Sequence, residues 1–220
     1  LAIAERMNTQ VRGMNVAIRN ANDGISYAQT ADGALGKMSD NMQRMRELAV
    51  QAANGTNTVD DVASLGKEYA ELGAENARLL TATTFNGTAV FGGGAKEFQV
   101  GANTTADNKI TVAALAITLA PGTLTTNASG TAAMTALDAD MKTVTELRAT
   151  LGATQNRFEA VVSGLQVASE NQAAARSRIM DADFASETAN LSRAQILQQA
   201  GTAMVAQANQ LPQGVLALLR

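Results

Sequence analysis

Residues that could carry out chemistry are few in this chain of 220 residues, which contains neither Cys nor His. Thiolate catalysis, imidazole general bases and the commonest zinc ligands are therefore excluded. The remaining candidates for hard-metal ligands are three acidic pairs, Asp60-Asp61, Asp138 with Asp140, and Asp181 with Asp183. None of them follows the twelve-residue calcium-loop pattern. Helix capping or a solvated surface explains them more simply, and the sequence predicts no metal and no cofactor.

A run of three glycines, residues 92–94, could cradle a phosphate group in another setting. A P-loop needs a following Lys-Ser or Lys-Thr that opens a helix, and neither is present here. The run therefore predicts a flexible turn. Since no nucleophile–base pair is visible either, an enzyme is the class that we least expect.

Composition favours long, closely packed helices over a reactive pocket. Apolar residues make up 46% of the chain but aromatic residues only 3%, and there are two prolines. Ala, Leu and Met must then fill the core, and uninterrupted helices are allowed. The net charge of −3 provides no basic field for nucleic acid.

A seven-residue apolar repeat runs through the first 50 residues and predicts a long helix packed lengthwise on others. Its main row is Met7, Met14, Ala21, Ala28, Leu35, Met42 and Ala49, and a second row is Ala31, Met38, Met45 and Ala52. Asn54-Gly55 predicts the end of this helix. Thr58, with Asp61 three residues later, predicts the start of a second helix that folds back antiparallel.

The middle of the chain, residues 81–131, is rich in Gly, Thr, Ala and Asn and predicts an exposed, variable end of the molecule. Residues 97–100 and 109–112 predict a β-hairpin, and residues 115–119 a third strand. Helix is expected again from about Thr131, with one apolar row of Leu137, Val144, Leu151, Phe158, Leu165 and Ile179. The fold class is therefore mainly α: long antiparallel helices forming a coiled-coil-like bundle, with a small β-hairpin region in the middle.

The C-terminal stretch from Ala194 to Leu219 contains no charged residue but many glutamines. An apolar row at seven-residue spacing is formed by Leu197, Met204, Leu211 and Leu218, with Val215 beside it. Such a helix is poorly suited to water on all sides, and it is too polar for a membrane span. It is expected to be buried among helices of other subunits, and a charge at Leu211 is expected to prevent polymerisation.

Four units are expected along the chain. Residues 1–80 form a helical hairpin of a rod-like core, and residues 81–131 form the variable β region. Residues 132–180 form the long returning helix of the core, and residues 181–220 form the uncharged terminal helix.

Two long segments carry a resemblance to a known family. Residues 1–57 resemble the N-terminal region of bacterial flagellin and residues 175–220 its C-terminus, and the short motifs FNG at residue 85 and FQVGAN at residue 98 also match. The resemblance implies a structural subunit that polymerises into the extracellular flagellar filament after export through the flagellar type III pathway. It also implies as partners other copies of the chain, an export chaperone, and filament cap and junction proteins. An upstream N-terminal segment that pairs with the C-terminal helix is expected.

The resemblance further implies a recognition surface in the segment QRMRELAV, residues 43–50. In some flagellins this segment is bound by Toll-like receptor 5. By position the implied residues are Arg44, Leu48 and Glu68, with Gln43 and Glu47 nearby. On a helix Arg44, Glu47, Leu48 and Gln51 share one face, and an exposed Leu48 beside Arg44 is expected to form a hot-spot pair. The alternative is that these residues contact only a neighbouring subunit.

Two other classes of protein stay open at this point. A hook–filament junction protein would share the architecture, although the full QRMRELAV segment and the LLR ending favour flagellin. A cell-surface adhesin or receptor could bind polysaccharide or host molecules through residues 81–131. The shortness of that region and its few aromatic residues argue against a sugar-binding platform.

Overall fold

The computed structural model describes residues 2–180 and 184–217 of the chain. Four helices account for most of these residues: α1 (Ala2–Ala52), α2 (Val59–Ala82), α3 (Asn127–Met180) and α4 (Phe184–Ala217). Short strands lie between α2 and α3: β1 (Thr84–Phe85), β2 (Thr88–Ala89), β3 (Lys96–Gln99) and β4 (Lys109–Val112). The predicted mainly-α class with a small β-hairpin region is confirmed.

α1 and α3 pack side by side as an antiparallel pair that forms a rod. At one end, the tip, Asn127 at the start of α3 donates to the carbonyl of Asn54, at 2.7 Å. Along the rod, Arg46 contacts Asp138 and Asp32 contacts Arg148. At the other end, the base, Gln172 of α3 bonds to Gln10 near the start of α1. From the tip to the base, residue numbers increase along α3 and decrease along α1, so the two helices run antiparallel.

The heptad rows form the seam of this rod, as predicted. The buried residues of α1 include Met14, Ala21, Ala28, Leu35, Met42 and Ala49 from the main row, and Ala31, Met38, Met45 and Ala52 from the second. On α3 the predicted row is buried at Leu137, Val144, Leu151 and Phe158. Further towards the base Leu165 is only half-buried and Ile179 is exposed.

α2 begins and docks as the sequence predicts. α1 ends at Ala52, and Thr58 caps α2 in a reciprocal capping box with Asp61. The helix runs back antiparallel along α1, since Glu68 meets Arg44 and Asn76 meets Asn41 further from the tip. Its buried residues are Val62, Tyr69 and Asn76, spaced seven apart.

The β region lies on the side of the rod, so the expectation that residues 81–131 form an exposed end is wrong. Val90, Phe91, Val100 and Ile110 are all buried in the common core. The cause is an aromatic cluster in which the ring of Phe98 contacts those of Tyr27 on α1 and Phe158 on α3. Gly24 of α1 makes room for it, because a Cβ there would lie 2.6 Å from the Phe158 ring.

The predicted β-hairpin is confirmed, but the predicted third strand is wrong. β3 pairs antiparallel with β4, with Phe98 opposite Ile110. Residues 113–124, which we call the strap, have no regular secondary structure and join no ladder. Leu115 and Leu124 of the strap are buried, and its backbone bonds to a side chain of α3, as described below. Helix α3 then begins at Asn127, four residues earlier than expected, after the Thr126 hydroxyl accepts from the Ser129 N–H.

α4 differs from the other helices because every side chain from residue 186 to residue 208 is exposed. Over residues 2–180 and 184–217, no helix is long and apolar enough to cross a membrane.

Candidate subunit-contact surfaces

One candidate surface lies near the tip and consists of Gln43, Arg44, Glu47, Gln51 and Glu68; we call it the Arg44 surface. All five side chains are exposed. Arg44 is central, because its Nε donates to Glu68 Oε1 at 2.8 Å and its Nη1 donates to Glu47 Oε2 at 2.9 Å. The bond to Glu68, followed by that to Glu47, raises the pKa of the Arg44 guanidinium. Exposed ion pairs add little stability, so their main effect is to fix the direction of the guanidinium.

The expectation that Leu48 is exposed beside Arg44 is wrong. Leu48 is 1% exposed and belongs to the buried core together with Met45 and Ala52. The helical repeat explains this, because positions three and four apart along α1 share the face that packs on α3 and α2. Leu48 therefore supports the Arg44 surface from beneath, and the surface itself is polar.

Glu68 reaches Arg44 because of polar contacts beneath α2 that the sequence reading missed. Asn76 is buried, and its Oδ1 accepts from Asn41 Nδ2 at 2.9 Å while its Nδ2 lies 3.7 Å from the Met45 sulfur. Tyr69, also buried, donates its hydroxyl to the carbonyl of Pro121. The sequence carries one signal of these buried polar contacts. Val62, Tyr69 and Asn76 form a row at seven-residue spacing, in which the polar Asn76 occupies a position expected to be apolar.

Among the described acidic pairs, Asp60, Asp61 and Asp138 agree with the expected capping or solvated surface, and Asp140 does not. The carboxylate of Asp61 caps α2, and its bonds with Thr58 lower its pKa. Asp138 and Asp140 lie inside α3; Asp138 is on the solvated surface, one of the two expected roles, whereas Asp140 is buried and caps no helix, so the expectation is wrong for Asp140. Asp138 pairs with Arg46 at 2.7 Å, and this hydrogen bond lowers the pKa of Asp138. Asp181 and Asp183 lie outside the described residues.

Asp140 is a buried carboxylate on the inner side of the rod. It is 9% exposed, and its Oδ2 accepts from the Ala120 N–H of the strap at 3.1 Å. Burial raises the pKa of Asp140. Burial, and secondly the charge of Asp140, raises the pKa of Tyr69 to about 12. Among the described residues no group of three or more acidic side chains is placed to hold a metal ion.

The second candidate surface is that of α4, in the uncharged stretch after Arg193. Leu197 is 65% exposed and Met204 is 71% exposed, on one side of the helix, and Ile196 and Val205 are exposed beside them. Leu211 and Val215 lie within the helix, but their side chains are outside the described part. Leu218 lies outside the described residues altogether. Several large apolar side chains exposed close together indicate a surface that is buried against a binding partner.

The fold and these two surfaces define an elongated helical structural protein, one whose function resides in contacts with other macromolecules. Comparison with known proteins agrees. Residues 1–96 match the bacterial flagellin N-terminal helical region, and residues 134–219 match the bacterial flagellin C-terminal helical region. The chain belongs to the bacterial flagellin family.

Individual relatives support this assignment. The chain is similar over its full length to the flagellin of Halalkalibacterium halodurans, with 44% identity and 84% of that protein covered. It is likewise similar to the flagellin of Bacillus subtilis (strain 168), with 40% identity and 85% covered. The crystal structure of Bacillus cereus flagellin superposes with a TM-score of 0.59 and 32% identity, over 67% of this chain and 88% of that one.

The chain is a structural subunit of a bacterial flagellar filament, which lies outside the cell. A structural protein is consistent with the expectation that it is not an enzyme. None of the comparisons favours a hook–filament junction protein or a surface adhesin.

Proposed function

We propose that the chain polymerises by burying the α4 surface against neighbouring subunits. The observation that carries the proposal is the exposure of Leu197 and Met204 on the uncharged part of α4, after Arg193. Removing a side chain of this kind from water contributes roughly 1.5–3 kcal/mol. A contact between two different surfaces of the same chain produces an open helical array when its rotation does not close into a ring.

The test is to place a charge on α4 and to follow filament growth. We expect Leu197→Asp and Met204→Asp to abolish filaments in electron microscopy after seeding with filament fragments. The chain is used joined to the family's N-terminal segment. Gln199→Asp, which adds the same charge on the opposite side of the helix, is the matched control and is expected to impair growth less. Circular dichroism should show unchanged helix content in all three variants. Normal filaments from Leu197→Asp and Met204→Asp would refute the proposal.

We propose that the same helix is bound before assembly by an export chaperone, and that the chain leaves the cell through the flagellar type III pathway. Filament cap and junction proteins are proposed as further partners. The support is the resemblance, together with an apolar helix that needs a cover until it meets other subunits. Co-purification of the chain with the family's chaperone should be lost in Met204→Asp and kept in Gln199→Asp. Equal chaperone binding by both variants would argue against α4 as the bound segment.

We propose that the Arg44 surface packs against a neighbouring subunit in the filament and is bound by Toll-like receptor 5 when the subunit is free. Arg44 is fixed by two carboxylates and is about half exposed, which suits an interface anchor. Arg44→Ala should weaken receptor binding by about 1–2 kcal/mol. Arg78→Ala, which removes an exposed arginine paired with Glu75 on α2, is the control. An unchanged dose–response of Arg44→Ala in receptor-reporter cells would exclude receptor recognition and leave subunit packing alone.

We propose that the four sequence units act at different places in the filament. Residues 1–80 and 132–180 form the rod, the outer side of residues 81–131 faces solvent, and residues 181–220 enter the inner layer. Limited proteolysis of assembled filaments should cut first within residues 81–131. Preferred cleavage in α4 of the intact filament would contradict this arrangement.

A further inference from the structure

The strap, residues 113–124, contacts α2 closely on the side that faces the rod. The Tyr69 hydroxyl donates to the carbonyl of Pro121, and Leu124 is buried. Gly66 of α2 lies against the strap backbone, since a Cβ at this position would be 2.3 Å from the Leu124 carbonyl oxygen. A methyl group does not fit there unless the backbone of α2 or of the strap shifts.

The strap is in turn anchored to α3 and to the β region. Asp140 of α3 accepts from the Ala120 N–H at 3.1 Å, and the Leu115 carbonyl accepts from the Gly92 N–H at 3.2 Å. The bonds to α3 and to α2 are made by consecutive strap residues, Ala120 and Pro121. One short segment thus ties α2 to the α1–α3 pair.

α2 also packs on the common core through half-buried leucines and bonds to α1 through Asn41 and Asn76. Three of its residues are buried, Val62, Tyr69 and Asn76, and two of these three are polar. Two cavities lie where the strap meets α2. One is lined by Asn76, Leu119, Pro121 and Asp140. The other is lined by Gly66, Tyr69 and residues 121–125 at the end of the strap. In proteins most of the stability of a helix comes from tertiary packing of its apolar face. The strap therefore adds to the contacts that hold α2.

We propose that the strap is a clamp that holds α2 in place and thereby positions Glu68 opposite Arg44. Tyr69, Gly66 and Asp140 are positioning residues for the Arg44 surface, because they act through α2 and contact no partner themselves. The clamp rests on the proposed function insofar as the Arg44 surface is a contact surface. Its structural effect can be measured without that function.

The first test removes the Tyr69 hydroxyl and measures amide hydrogen exchange helix by helix. In Tyr69→Phe we expect the amides of α2 to exchange between about 5-fold and 100-fold faster, since a partly buried carbonyl loses its donor. The amides of α1 and α3 should be unchanged. Tyr27→Phe is the matched control, because Tyr27 also donates to a backbone carbonyl, that of Val90 at 3.2 Å, but away from the strap. It should leave α2 exchange unchanged.

The second test introduces a methyl group at the strap contact. Gly66→Ala should accelerate α2 exchange, whereas Gly73→Ala on the same helix should not, because a Cβ at Gly73 meets only the Met45 methyl group at 3.7 Å. Both substitutions raise helix propensity, so propensity alone would slow exchange in both. The clamp is supported if the amides of α2 exchange faster in Gly66→Ala and Tyr69→Phe but not in the controls Gly73→Ala and Tyr27→Phe.

Two results overturn the clamp: no change in α2 exchange in either variant, or an equal rise in all three helices. The functional consequence is read from the receptor dose–response, which should shift in Tyr69→Phe but not in Tyr27→Phe. If α2 opens selectively and the dose–response of Arg44→Ala does not shift, the clamp holds and the receptor role of the Arg44 surface is refuted. If Arg44→Ala shifts the dose–response but α2 exchange is unchanged, the clamp fails and the proposed function stands.

Discussion

The buried carboxylate of Asp140 allows a prediction that separates its hydrogen bond from its charge. Asp140→Ala removes the acceptor of the Ala120 N–H, a bond of 3.1 Å in a poorly hydrated place. Leaving such a donor unsatisfied costs about 1–3 kcal/mol. Asp140→Asn keeps an acceptor oxygen of the same shape and removes the charge. We expect its free energy of unfolding at neutral pH to equal or exceed that of the parent chain.

The charge also predicts a pH dependence whose sign can be stated. Burial raises the pKa of Asp140 above its ordinary value of 3.8, so the folded chain binds this proton more tightly than the unfolded chain. The stability that this group contributes is fully present below pH 3.8 and is lost as the pH rises through the raised pKa. The advantage of Asp140→Asn over the parent chain should therefore grow as the pH is raised from below 3.8 to neutrality.

Urea unfolding of the parent chain and both variants, at intervals between pH 3 and pH 7, is the assay. The carboxylates of Asp61 and Asp138 titrate in all three proteins and cancel in the differences. Two outcomes would refute the reasoning. One is that Asp140→Asn loses as much stability as Asp140→Ala at every pH. The other is that the difference between the parent chain and Asp140→Asn does not depend on pH.

Three further substitutions test the packing of the rod by thermal or urea unfolding. Thr58→Ala should cost about 1 kcal/mol because it removes the cap of α2; a change below a few tenths would show that the capping box is not stabilising. Phe158→Ala should cost about 3–5 kcal/mol, since the fully buried ring fills the space at Gly24 and contacts Phe98. Gly130→Ala should cost about 1–3 kcal/mol, because a Cβ there would lie 2.7 Å from the Ala49 carbonyl oxygen. Parent-like stability of the last variant would mean that α1 and α3 separate easily at the tip.

The helices could be predicted because their signals are periodic and local. A row such as Met14, Leu35 and Met42 specifies both helical structure and the side that packs. The capping pair Thr58 and Asp61 marks a helix start within four residues. These features depend on neighbours along the chain, which the sequence displays directly.

The features that sequence reading missed depend on contacts between distant segments. Residues 115–119 have the composition of a strand. In the structure they belong to the strap, which pairs with no strand. A side chain of α3 accepts a hydrogen bond from the Ala120 N–H of the strap. Asn76 and Asp140 are buried because partners 35 and 20 residues away satisfy them. Leu48 belongs to a face whose boundary is set by two helices, α2 and α3, and not by α1 alone. Composition cannot reveal any of these pairings.

The separation of the tip from the base gives the chain a use as a display scaffold. α1 alone, with 51 residues, is about 75 Å long at the rise of an α-helix. The exposed turn between α1 and α2 lies at one end of that length, and α3 ends at the other, where α4 follows in the sequence. A foreign peptide inserted after Asn54 would therefore be carried far from the helix proposed to polymerise. Exposed turns of this kind tolerate insertions, so the free subunit could present a foreign epitope at its tip.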